Sequence, residues 1–152
     1  MATYTDALGF EKGTTATYPE KGTNATTMIS IDLDMAAITA ARDAAGATAL
    51  ADGDVLEVIR IPAKTSVLAV GLDVTTAEGG TCTIDVGDGV DPDGYLDGVN
   101  ANAVASYATL DGSTGYATGR YYAAADTIDV VFVNAADAAV MRVWALVVDC
   151  ND

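Results

Sequence analysis

The sequence predicts an all-β fold: an antiparallel β-sandwich of jelly-roll type that carries one short helix. Three observations support it. Apolar residues recur with a two-residue period in several separate stretches, the signature of half-buried strands. Gly, Pro, Asp and Asn gather between those stretches, where turns need them. Only one stretch carries the helical period.

Taken in order, residues 1–26 are rich in Thr and Gly and lack periodicity, so they read as an extended N-terminal arm ahead of one domain over 27–152. Asn24-Ala25-Thr26 has the spacing of a glycosylation acceptor, read as chance. Ile29, Ile31 and Leu33 alternate with Ser30 and Asp32, which makes a strand. A helix follows at about 35–45, with Asp34 as its N-cap and Gly46 as its stop. Met35, Ile38 and Ala45 are expected on one face, Thr39, Arg42 and Asp43 on another. Residues 54–61 form a strand stopped by Pro62. Leu68, Val70, Leu72 and Val74 alternate with Ala69, Gly71 and Asp73. Cys82, Ile84 and Val86 alternate with Thr83 and Asp85. Glu78-Gly79-Gly80 lies between the two runs, so 65–86 reads as a hairpin. Residues 87–125 are dense in Gly, Asp, Asn, Ser and Tyr, with short strands expected near 104–110 and 114–122. Ile128, Val130 and Phe132 mark another strand. Residues 139–149 are apolar on both faces, interrupted by Arg142.

Composition narrows the function. A chain of 152 residues suits one domain, and a 51% hydrophobic content excludes a disordered chain. No apolar run reaches the roughly 20 residues of a membrane-spanning helix. The opening MATYTDALGF carries Asp6 and no basic segment before an apolar stretch, so it is not read as a secretory signal. With 22 acidic against 7 basic residues the net charge is −15, which argues against nucleic acid and anionic membrane as partners. The absence of histidine removes the usual general base and the commonest transition-metal ligand. Two cysteines are too few for a disulfide framework; Cys82 is expected to be buried on its strand.

Candidate chemistry is sparse. Asp85, Asp88, Asp91, Asp93 and Asp97 crowd into DVGDGVDPDGYLD, and clustered carboxylates are what calcium binds. The EF-hand spacing fails, because it would place Gly89 first and Asn100 twelfth. Asp and Gly also favour tight turns for backbone reasons, so no metal and no cofactor is expected. Paired carboxylates serve glycosidases, but the single Trp, Trp144, sits inside a strand and no acid–base constellation is recognisable. Tyr95, Tyr107, Tyr116, Tyr121 and Tyr122, set among Ser, Gly and Asn, use the vocabulary of contact surfaces. They are interface candidates, as is Trp144 on the doubly apolar strand. The bland alternatives are a rim of rings around the core and a helix covering the second face of that strand.

GDVLEVIRIPAKTSVLAVGLDVTTAEGGTCTIDVGDGVDPDGYLDG, followed by ADTIDVVFVNAADAAVMRVWALVVD, resembles small virion structural proteins of tailed bacteriophages. The resemblance implies a β-rich virion component, often assigned to the head, and supplies no functional residues; with no acid–base constellation, a non-enzymatic role is expected. The leading expectation is a capsid decoration (cement) protein, a homotrimer on the capsid exterior. It would bind the major capsid protein or other virion subunits and assemble in the host cytoplasm. Two alternatives stay open: a tail, fibre or spike component that contacts the host surface, and a saccharide-cleaving or lytic virion enzyme.

Overall fold

The computed structural model describes residues 3–4, 26–109 and 114–150. Their strands are β1 (Thr3–Tyr4), β2 (Thr26–Asp34), β3 (Val55–Ile61), β4 (Thr65–Thr76), β5 (Thr83–Gly87), β6 (Leu96–Asn100), β7 (Ala105–Ala108), β8 (Arg120–Tyr122), β9 (Asp126–Phe132) and β10 (Val140–Asp149). They form two sheets. Sheet 1 has the order β1-β3-β9-β5-β6, and sheet 2 the order β2-β10-β4-β7, with β8 also on β4. Every pairing is antiparallel except β1 on β3. Thr3–Tyr4 and Thr26 are the described parts of the expected arm; its remainder lies outside the described residues.

The predicted sandwich is present. Its core interleaves Leu56, Ile59, Ile84, Val86, Ile128, Val130 and Phe132 of sheet 1 with Leu33, Val67, Val70, Leu72, Met141, Val143 and Val147 of sheet 2. Burying alternate residues of both sheets is the main source of stability in such a fold.

The helix α1 (Met35–Ala44) leaves β2 directly. The Asp34 carboxylate accepts the Ala37 N–H at 3.1 Å, and Gly46 follows the helix at φ 71°. Its buried face differs from the expected one. Arg42, not Ala45, joins Met35 and Ile38 inside. Arg42 Nε donates to the Thr48 carbonyl at 2.9 Å, which ties down the chain after the helix and makes burial of the charge tolerable. α1 sends Met35 and Ile38 into the core, and Trp144, Leu146 and Val148 on the outer face of β10 stay half-exposed.

Two further expectations are corrected. The hairpin over 65–86 does not form: β4 belongs to sheet 2 and β5 to sheet 1, so residues 77–82 cross between sheets. Glu78 fixes this crossing. Its carboxylate accepts the N–H groups of Asp137, Ala138 and Ala139 at 2.8, 3.1 and 2.7 Å, and its own N–H donates to Ala101. Burial pushes this carboxyl up, but the three amides outweigh it and hold it below the usual range. Second, Leu68 does not point inward. Val67 pairs with Val147 and Ala69 with Leu146, so Leu68 is the extra residue of a β-bulge and is 42% exposed. The bulge shifts the inward series to Val67, Val70, Leu72 and Val74.

Candidate functional site

The Asp-rich segment connects β5 to β6, and its five carboxylates do not act together. Asp88 is buried and saturated. Oδ1 accepts the Val90 and Asp91 N–H groups, both at 2.9 Å, and the Tyr116 hydroxyl at 3.3 Å. Oδ2 accepts the Tyr122 hydroxyl at 2.8 Å and faces Arg120 Nε at 3.1 Å. Asp85 instead accepts the Gly98 N–H at 2.7 Å, closing the β5–β6 ladder; burial, with Asp97 and Asp93 nearby, holds its carboxyl above the usual range. Asp91 is raised as well, through a hydrogen bond shared with Asp93. Asp93 and Asp97 are exposed. Among the described residues no three His, Cys, Asp or Glu side chains converge to hold a metal ion.

Two glycines permit this arrangement. A Cβ on Gly87 would collide with the backbone of Asp91 and Pro92, so only glycine lets the 88–95 loop fold over β5. A Cβ on Gly94 would strike the Tyr116 ring. Tyr116 meets Tyr95 edge to face at 5.0 Å, and Arg120 covers Tyr116 at 4.3 Å and Tyr122 at 5.1 Å.

The five candidate tyrosines therefore separate. Tyr95 and Tyr122 are buried, with their hydroxyls 2.8 Å apart. Since Tyr122 donates to Asp88, Tyr95 donates to Tyr122. Burial raises both phenols far above their ordinary range, so they serve as neutral donors. They are committed inside the protomer and leave a partner nothing to grip. Tyr116 packs partly buried against the core, and Tyr107 donates to the Asn100 carbonyl at 3.2 Å. Tyr121 alone of the five is mostly exposed, at 55%.

Tyr121 belongs to the outer face of sheet 2, which also carries the half-exposed Trp144, Leu146 and Val148, with Leu68 and the 65% exposed Met28. The Trp144 indole packs against Gly71, where any side chain would collide with it. Arg142 and Asp32 pair at 2.7 Å at one end of this face.

The outer face of sheet 1 differs. Glu57 of β3 stands directly opposite Asp129 of β9, and the 88–92 loop overhangs them. Between them lies a pocket of about 480 Å³ lined by Val55, Glu57, Asp88, Pro92, Asp126, Asp129 and Val131, among others. Asp129 is 6% exposed, and its Oδ1 accepts no hydrogen bond from the described residues. Burial pushes its carboxyl up to about 7, with Glu57, Asp126 and Asp88 adding to the rise and the Thr127 hydroxyl opposing it. The sequence reading missed Glu57, Arg120, Asp126 and Asp129. Glu57 and Asp129 each occupy an outward strand position, but alternation cannot reveal that β3 and β9 are neighbours.

No protein-family model matches the chain, and no curated protein matches its sequence. Solved structures do share its fold. A chain of the capsid of Ralstonia phage GP4 superposes with a TM-score of 0.65 at 16% identity, covering 99% of this chain and 98% of that one. A chain of the cyanophage Pam1 capsid asymmetric unit superposes at 0.52 and 16% identity, over 86% and 90%. At these identities the likeness is one of fold.

Proposed function

We propose that the protein is a structural component of a tailed-phage particle, a decoration protein that binds and stabilises the capsid shell without catalysis. One observation carries this reading: the end-to-end overlap with a capsid chain of matching extent, rather than with one module of a larger protein. The half-exposed apolar face around Trp144 supports it, since contiguous apolar surface on a single chain marks an interaction site. In this reading that face, with Tyr121, meets other virion subunits or further copies in a trimer, and residues 1–26 serve as an arm that strengthens attachment.

The test is copy number and position. Electron microscopy and quantitative mass spectrometry of purified particles should find hundreds of copies on the outside of the head. A few to tens of copies at the tail would replace decoration by the fibre or spike reading. Copies that themselves make up the continuous shell would make the chain the major capsid protein.

A further inference from the structure

We propose that the pocket between β3, β9 and the 88–92 loop receives one cationic side chain, a lysine or an arginine, from a different protein of the particle. The proposal rests on the virion reading above and names what that component grips. Four carboxylates line the pocket: Glu57, Asp88, Asp126 and Asp129. Arg120 neutralises only Asp88. Arg60 stands at the adjoining rim with Glu57 and Asp126, yet among the described residues it forms no ion pair with them.

The second observation is Asp129 Oδ1, a buried acceptor on a pocket-lining residue that finds no donor among the described residues. Such a group is costly to a folded chain unless something supplies the missing donor, and the like charge of Glu57 directly opposite adds to the cost. An ammonium or guanidinium relieves both. The other walls suit its stem: Val55, Val131 and Pro92 offer apolar contact to the methylenes of Lys or Arg. A bare metal ion fits poorly, because no three ligating side chains converge among the described residues. A second copy is a poor donor. The net charge of −15 opposes it, and Arg42, Arg120 and Arg142 of its seven basic residues are already engaged.

The test uses the full chain in two arms. In the first, backbone amide NMR shifts are followed during titration with N-acetyl-arginine amide, N-acetyl-lysine amide, the neutral N-acetyl-norleucine amide, and calcium chloride. The cationic amides should produce saturable shifts at Gly53, Val55, Thr127 and Val131, and the neutral one should not. Glu57→Gln and Asp129→Asn should each weaken the effect about tenfold or more. Glu57 is only half-buried, so its variant tests the pocket even if Asp129→Asn perturbs packing. Equal shifts from the neutral amide, unchanged affinity in both variants, or saturation by calcium alone would overturn the proposal.

In the second arm, particles lacking the protein are supplied with wild type or the double variant. Reduced occupancy by the double variant is expected, and full occupancy overturns the receptor role. A chain that takes the cationic amides but never joins particles overturns the virion reading and leaves the pocket standing. One that joins particles but takes no amide does the reverse.

Discussion

Arg120 Nε lies 3.1 Å from Asp88 Oδ2, and the same guanidinium covers the Tyr116 ring. One short strand, β8, thereby fastens the loop that opens 32 residues earlier in the chain. Asp88 is the hub, since five donors meet on its two oxygens. Asp88→Ala should lower stability by roughly 3–5 kcal/mol, because it strands a partly buried guanidinium and two phenols. Urea unfolding at neutral pH checks this. A loss below about 1 kcal/mol would show that the network contributes little.

The contact between Trp144 and Gly71 gives an optical test. Trp144 is the only tryptophan, so its emission reports this face alone. Gly71→Ala should displace the indole, shift its emission and cost roughly 1–3 kcal/mol through overpacking. If the emission is unchanged, the ring does not rest on residue 71.

Asp129 predicts a pH dependence. Its folded value, about 7, lies above that of an unfolded carboxylate, so the folded state binds more protons in between. Its contribution should be fully present below about pH 4, fall as pH rises towards 7, and level off above that. The amplitude is roughly 2 kcal/mol once solvent reaching the pocket is allowed for. Asp129→Asn should flatten this limb and be more stable than wild type at pH 8, as measured by melts across pH 4–8.

The two thiols should differ sharply. Burial, with Glu78 nearby, pushes Cys82 up to about 11, whereas Cys150 is exposed beside Ser66. Iodoacetamide at pH 8 should add one label per folded chain, at Cys150, by peptide mass spectrometry. Labelling of Cys82 at a comparable rate would mean that the core opens there.

Calcium should not stabilise the fold. With Asp88 saturated and Asp85 committed to Gly98, thermal melts in EDTA and in millimolar calcium should coincide. A clear calcium-dependent rise would reassign the half-buried Asp91 and the exposed Asp93 as ligands.

What the sequence made legible was what alternation encodes, the face each residue takes. Ile84, Val86, Ile128, Val130 and Phe132 are inward as read, and Asp34 and Gly46 bound the helix. Alternation carries no information about which strand lies alongside, so the run through Glu78-Gly79-Gly80 looked like a turn although it is a crossing. It also fails where one residue is inserted, as at Leu68. The Asp88 network was hidden for the same reason: its members lie at 88, 95, 116, 120 and 122, and only the folded loop brings them together.

The placement of β10 has a consequence for biosynthesis. This strand pairs with β2 on one side and β4 on the other, and its Arg142 meets Asp32 across 110 residues. Until β10 has been translated, sheet 2 has no middle, and β2 and β4 have nothing between them. Until then Ile29, Leu33, Val70 and Leu72 lack their in-sheet neighbours Ala145, Met141 and Val143. This sheet therefore closes only after β10 has been made, slowed by long loop closure, and exposed to mispairing between neighbouring nascent chains when expression is high.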